Sequence, residues 1–141
     1  MAQAILAQAI SGQVVSGQTH HSRSSLDLLQ NLDFIMGVIK ISDQAAFDKA
    51  LEEAGDKVVL VDFTAIWCGP CQAIKPKIHE LADQDADIVV LEVDVDKAEA
   101  VAATYKITAM PTFKVFKNKE EKGEVVGGNM EKVMALVKSH K

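Results

Sequence analysis

The chain has 141 residues, of which 48% are apolar and 25% are charged, and its formal net charge is −5 at pH 7. These values are typical of one globular domain with a single core. The acidic balance argues against a nucleic-acid-binding protein, which would show a basic patch. No run in the sequence approaches the ~18 apolar residues that would suggest a membrane span.

The first 35 residues differ in composition from the rest of the chain. They are rich in Gln, Ser and Ala, and their charged residues are Arg23, Asp27 and Asp33. Glutamines interrupt the apolar stretch, and a single Arg is a poor match to a mitochondrial presequence, so we predict no export or import signal. We expect residues 1–35 to form a disordered or loosely helical extension, and residues 36–141 to form the folded domain.

From Met36 onward, strand and helix patterns alternate. A short strand is predicted from Val38 to Ile41, and Ser42 or Asp43 can cap the helix that follows. The run from Val58 to Phe63 is nearly all apolar, which is typical of a strand that is buried on both faces.

The second half of the chain continues the alternation. A helix follows the cysteines, a strand is predicted from Ile88 to Val93, and Asp96 with Glu99 resembles a capping box that opens a short helix. Two strands, Thr112 to Lys117 and Glu124 to Val126, alternate around a polar loop and indicate a hairpin, after which Asn129 can cap a last helix. The order β-α-β-α-β-α-β-β-α predicts an α/β sandwich with a mixed sheet.

A Cys-x-x-Cys motif lies where a buried strand gives way to a helix, in the sequence Trp67-Cys68-Gly69-Pro70-Cys71. At a helix start, unpaired backbone N–H groups and the positive end of the dipole stabilise a thiolate at Cys68. Cys71 follows one turn later on the same face, so its sulfur can reach that of Cys68. Pro70 suits the first turn, and Gly69 has no side chain to block a substrate backbone. A thiolate with a second thiol behind it is what disulfide exchange requires.

A structural role for these cysteines is the alternative. A bridge across two residues closes too short a loop to stabilise a fold much. A zinc site needs four ligands, and only His20, His21, His79 and His140 could supplement the two cysteines. We expect His79 to be a solvated surface residue, and we predict no metal site.

Two further residues stand out around this motif. Asp62 interrupts the apolar strand six residues before Cys68, and a buried carboxylate is expected to have a raised pKa and to accept a proton near neutral pH. The alternative is an Asp that faces solvent at a strand end near Lys57. Pro111 stands in Met110-Pro111-Thr112 just before a strand, where a missing donor is tolerated, and the residues alone leave its isomer open.

Taken together, these motifs resemble the thioredoxin family. The resemblance rests on the run from Val61 to Cys71, on Pro76, on Met110-Pro111-Thr112, and on the spacing from Pro111 to Gly127. It covers residues 36–141, and Leu91 to Asp96 resembles eukaryotic members more than bacterial ones. It implies the thioredoxin fold, with a central mixed five-stranded sheet flanked by four helices.

The resemblance also implies a role for each matching residue. Cys68 would be the attacking thiolate and Cys71 the resolving thiol, while Asp62, beneath the pair, would assist proton removal from Cys71. A cis Pro111 would pack against the disulfide. The substrate-binding residues would be Trp67, Gly69, Pro70, Met110, Pro111 and Gly127. Glu92 stands where many bacterial members have a lysine, which leaves the partner of Asp62 open.

The implied function is a protein-disulfide reductase of cell redox homeostasis that carries electrons without a bound cofactor. Its partners would be disulfide-containing proteins and thioredoxin reductase, an NADPH-dependent flavoenzyme. We expect a cytoplasmic monomer. An oxidase or isomerase of an oxidising compartment is one alternative, against which Gly69-Pro70 and the missing export signal weigh. A binding module without turnover is the other, and the intact cysteine pair argues against it.

Overall fold

A computed structural model of the chain describes residues 37–141. In chain order its elements are β1 (Val38–Ile41), α1 (Gln44–Ala54), β2 (Val58–Thr64), α2 (Gly69–Gln84), β3 (Ile88–Asp94), α3 (Glu99–Thr104), β4 (Thr112–Lys117), β5 (Glu120–Val126) and α4 (Met130–Ser139). This order confirms the predicted alternation. The predicted extension over residues 1–35 lies outside the described residues.

The strands form one mixed sheet in the order β1-β3-β2-β4-β5. Strands β1, β3 and β2 run parallel, whereas β4 is antiparallel to β2 and β5 is antiparallel to β4. Strand β2 is paired on both sides, and every one of its residues is buried. That double burial explains the nearly continuous apolar run from Val58 to Phe63. The predicted fold class is therefore confirmed over the described residues.

Two helical layers cover the sheet. Phe47 of α1 and Val101 of α3 pack with Val61 on one face, and Ile78 of α2 and Val137 of α4 pack with Leu60 on the other. Successive side chains of a strand point to opposite faces. Asp62 therefore shares the face of Leu60, beneath α2, the helix that carries the cysteines.

Side-chain caps begin two of the helices as predicted. The carboxylate of Asp43 accepts a hydrogen bond of 2.8 Å from the backbone N–H of Ala46, and Asn129 accepts one of 3.0 Å from Lys132. The capping box predicted for α3 is wrong. Ala98 occupies the N-cap position and no side chain caps the helix; Asp96 lies two residues earlier, and its carboxylate accepts a hydrogen bond from the indole of Trp67.

The predicted hairpin is correct in kind but its loop is shorter than expected. Strand β5 begins at Glu120, not at Glu124, and only Asn118 and Lys119 turn the chain. Both have positive φ, 52° and 67°, which is the backbone of the tightest hairpin turns. Gly123, expected in the loop, pairs with Val115 instead. A Cβ there would come within 2.9 Å of Leu136, so the glycine lets α4 approach β5 closely.

Candidate active site

The two cysteines form a disulfide bond at the start of α2. Their Cα atoms are 5.3 Å apart, and Cys68 and Cys71 are 6% and 1% exposed. Cys68 is the N-cap residue, and its Sγ accepts a hydrogen bond of 3.3 Å from the backbone N–H of Cys71. The predicted position at a helix start is confirmed, and the more exposed sulfur-bearing residue is Cys68.

The local sequence explains why α2 begins there. Pro70 lies in the first turn, where its missing N–H would have had no intrahelical partner, and exposed Gly69 leaves the approach to the disulfide open. The first N–H groups of a helix and its dipole stabilise negative charge at that end. A thiolate formed at Cys68 after reduction is therefore stabilised by a hydrogen bond already present in the oxidised protein.

A loop from another part of the chain closes one side of the pair. The Met110–Pro111 peptide bond is cis, and Met110 packs against the buried cluster that Ala65 forms with the two cysteines. The backbone N–H of Gly127 donates a hydrogen bond of 2.8 Å to the carbonyl oxygen of Pro111. Gly127 has φ +98°, a conformation that a residue with a Cβ rarely adopts. The structure thus brings Pro111 and Gly127, sixteen residues apart in sequence, to one hydrogen bond.

An exposed apolar rim lies near the disulfide, formed by Ile66 and Trp67, which precede Cys68, and by Val126, which pairs with Thr112 beside Pro111. Ile66, Trp67 and Val126 are 73%, 68% and 59% exposed, which is unusual for side chains of this size. The indole N–H of Trp67 donates a hydrogen bond of 2.8 Å to the carboxylate of Asp96. The indole is therefore held in place at the surface although little packs over it.

Asp62 is buried in the middle of the sheet, as the first of its two interpretations predicted. It is 2% exposed, and its Oδ1 atom has no hydrogen-bond partner among the described residues. The pKa of Asp62 is raised from 3.8 to about 7, chiefly by burial and also by the negative charge of Glu92, while the positive charge of Lys75 opposes both. The solvent-facing alternative is wrong because of this burial, and Lys57 donates to the carbonyl oxygen of Ala86 instead of approaching Asp62.

Glu92 lies directly opposite Asp62 on the neighbouring strand β3. Its carboxylate binds two side chains of α2: the Nζ of Lys75 lies 3.1 Å from Oε1, and the Nε2 of His79 lies 3.3 Å from Oε2. His79 was expected to be a solvated surface residue; its side chain is 41% exposed, and its ring also contacts the carboxylate of Glu92, which is only 9% exposed. A lysine does act on buried Asp62, but it is Lys75 of α2 and not a residue of β3.

Sequence reasoning missed three residues of this site. Asp96 holds the indole, and Lys75 and His79 hold Glu92. The spacing of Lys75 and His79, one helical turn apart, was a usable signal. Its target depended on the register of β3 against β2, which is a property of the folded sheet.

Comparison with known proteins agrees with this geometry. The thioredoxin family model matches residues 38–139. The chain is 46% identical over 100 residues to thioredoxin of Homo sapiens, an alignment that covers 71% of this chain and 95% of that one. It is 48% identical over 97 residues to thioredoxin of Rattus norvegicus, over 69% and 92% of the two chains.

The chain belongs to the thioredoxin family. Solved thioredoxin structures also superpose on it. That of Fasciola hepatica thioredoxin has a TM-score of 0.72 at 37% identity and covers 73% of this chain and 99% of its own. That of Schistosoma mansoni thioredoxin has a TM-score of 0.70 at 41% identity, with coverage of 74% and 96%.

Membership in the thioredoxin family and the disulfide at Cys68 and Cys71 together define the chemistry. The chain is a thiol–disulfide oxidoreductase with a redox-active Cys-Gly-Pro-Cys centre, which acts by dithiol–disulfide exchange. Between residues 37 and 141, no helix has both the length and the apolar content to cross a membrane.

Proposed function

We propose that the protein reduces disulfide bonds in other proteins, with Cys68 as the attacking thiolate and Cys71 as the resolving thiol. The observation that carries this assignment is the position of Cys68 at the N-cap of α2. Its sulfur already accepts a backbone N–H there, whereas Cys71 lies deeper, at 1% exposure. A thiolate is the nucleophile of disulfide exchange, so the stabilised and more accessible sulfur attacks first.

The reaction takes two exchanges. The Cys68 thiolate attacks one sulfur of the substrate disulfide, forming a mixed disulfide and releasing the first substrate thiolate. Cys71 then loses its proton and attacks the Sγ of Cys68, which releases the second substrate thiolate and leaves the Cys68–Cys71 disulfide. The substrate gains two electrons and two protons, and the dithiol loses both. The oxidised form is the one described here.

Asp62 supports the second exchange as a proton acceptor. It lies on the sheet face that α2 covers, and Cys71 lies on the buried face of α2 together with Ile74 and Ile78. A carboxylate with a pKa near 7 is half ionised at neutral pH, so it can take a proton there. Bulk water does not reach this carboxyl group, which is 2% exposed, so water does not take over its role as proton acceptor.

The substrate chain docks on the rim around the disulfide. Exposed Trp67 and Val126 offer apolar area, and Gly69 and Pro70 leave the sulfur of Cys68 approachable from outside. Gly128, which follows Gly127, lies close to Pro70. A Cβ added to Gly128 would be 3.7 Å from the carbonyl oxygen of Pro70. The loop at Met110 and Pro111 completes the groove, and the backbone of Met110 binds the substrate chain.

Continued turnover requires an electron donor that restores the dithiol. We propose thioredoxin reductase, an NADPH-dependent flavoenzyme, as that partner, and the cytoplasm as the location, where such a reductant keeps thiols reduced. The protein acts as a monomer and contributes to cell redox homeostasis. Residues 36–141 form the thioredoxin domain, preceded by the extension over residues 1–35. Family membership and the Gly69-Pro70 sequence between the two cysteines support this direction of electron flow.

Reduction of insulin, coupled to NADPH oxidation by thioredoxin reductase, tests the proposal. We expect catalytic turnover by the full chain and none by Cys68→Ser, whose folding is checked by circular dichroism. An oxidase or isomerase would instead form disulfides in a reduced protein substrate and would not consume NADPH. A chain that binds the reductase but transfers no electrons to insulin would contradict the reductase function.

A further inference from the structure

Two side chains on one face of α2 bind Glu92, the carboxylate that lies opposite buried Asp62. Lys75 and His79 are four residues apart, so both point to the same side of the helix, and each binds a different oxygen of Glu92. Glu92 is thereby fixed at 9% exposure against the strand that carries Asp62. The mechanism described above uses Asp62 but assigns no role to these three residues.

We propose that Lys75 and His79, by holding the carboxylate of Glu92, act as positioning residues that set the pH at which Asp62 accepts the proton of Cys71. The proposal rests on the reductase function, because it concerns the second exchange of that reaction. None of the three touches the reacting sulfurs; they act through Asp62. Glu92 supplies a negative charge that holds a proton on Asp62, and the positive charge of Lys75 limits how strongly it does so.

Other charged groups around the acid pair belong to neighbouring elements. Lys40 of β1 lies opposite Glu92 in register. Asp94 and Lys97 line, together with Lys75 and Glu92, a cavity of about 190 Å³ beside the pair. Strand β4 places uncharged Phe113 opposite Asp62. Direct contact with the carboxylate of Glu92 is nevertheless made by the two α2 side chains.

The charges act on Asp62 in opposite directions. The charge of Glu92 raises the pKa of Asp62 and the charge of Lys75 lowers it. Burial is the largest cause of the raised pKa, so a change that merely loosens the packing admits water and lowers the pKa. Removal of the Lys75 charge therefore raises the pKa of Asp62, whereas structural damage lowers it.

The test is the titration of the Asp62 side-chain carboxyl carbon by NMR in the oxidised full chain, where no thiol titrates. The Asp62→Asn variant assigns the signal. We expect Lys75→Met to move the midpoint up by about one pH unit, since nearby charges have effects of this order. We expect His79→Leu, which removes one hydrogen-bond partner of Glu92, to move it up by less. Glu92→Gln moves it down. Lys77→Met and Glu80→Gln are controls on exposed positions of α2 and leave it unchanged.

A second measurement links the titration to catalysis. In stopped flow, the rate at which Cys71 resolves a mixed disulfide at pH 7 falls about fivefold in Lys75→Met, following the smaller ionised fraction of Asp62. The proposal is overturned if the midpoint of the Asp62 titration moves down, or does not move, in all of the Lys75, His79 and Glu92 variants. This holds even if insulin is reduced normally. Failure of insulin reduction by the unmodified protein, with the expected midpoints, overturns the reductase function alone.

Discussion

The indole N–H of Trp67 and the carboxylate of Asp96 are joined by a hydrogen bond of 2.8 Å across 29 residues of sequence. Both side chains are exposed, so the bond contributes little to the core and instead holds an apolar ring at the rim of the disulfide. Asp96 does not cap α3, whose N-cap residue is Ala98, and one of its carboxylate oxygens binds the indole instead.

We therefore expect Asp96→Ala to weaken substrate docking more than it weakens the fold. KM for a protein disulfide rises several-fold with little change in kcat, and unfolding free energy falls by no more than about 1 kcal/mol, the usual value of one hydrogen bond. Steady-state kinetics and thermal melting measure both. Asp56→Ala, which removes the same charge from an exposed position, is the control. An equal rise in KM there would assign the effect to net charge and not to the indole.

Asp62→Asn should make the fold more stable, by an amount that depends on pH. Because the pKa of Asp62 is raised from 3.8 to about 7 on folding, the native state holds a proton that the unfolded state releases. Native stability is therefore lost as pH rises from about 4 to about 7, and the loss is constant above that range. Asparagine removes this term, which is on the order of 4 kcal/mol for a carboxyl so strongly raised.

Urea denaturation of both proteins between about pH 4 and pH 8 measures this difference. We expect the gap in unfolding free energy to open between about pH 4 and 7 and then to level off. A gap that stays constant over the whole range means that Asp62 has an ordinary pKa, and its role as a proton acceptor falls with it. The Asp62→Asn variant should also resolve mixed disulfides more slowly near neutral pH, because Cys71 loses its base.

Much of the fold could be predicted because β2 and the helix faces carry strong apolar patterns. The strand over Val58–Thr64 is buried throughout, and the caps at Asp43 and Asn129 are common helix-start residues. The hairpin loop was misjudged because Asn118 and Lys119 both adopt positive φ, and glycine at position 123 suggested a loop. Position 123 is a glycine because α4 packs closely against it, and that contact depends on tertiary packing.

The active site divides in the same way. The position of Cys68 at a helix start could be predicted from local chemistry, and the burial of Asp62 from the apolar run around it. The contacts of Glu92 could not be predicted, because they depend on which residue of β3 lies opposite Asp62 and on which face of α2 lies above. Register and helix rotation are set by the whole core.

Deletion of residues 1–35 should leave the melting temperature and the disulfide-reducing activity nearly unchanged. Among the described residues, the strands and helices around the cysteines run from Val38 to Ser139. Calorimetry of the full chain and of a chain beginning at Met36 measures this. A melting temperature lower by more than ~5 °C, on the order of 1 kcal/mol for a domain of this size, would mean that the extension stabilises the domain.

Mixed-disulfide trapping tests the central assignment most directly. The Cys71→Ser variant, reduced and mixed with oxidised insulin, keeps the attacking thiolate but cannot resolve the intermediate. Intact-mass spectrometry should show a one-to-one covalent adduct through Cys68, released by dithiothreitol, and no adduct with Cys68→Ser. If Cys68→Ser forms the adduct and Cys71→Ser does not, Cys71 is the attacking thiol and the proposed roles of the two cysteines are reversed.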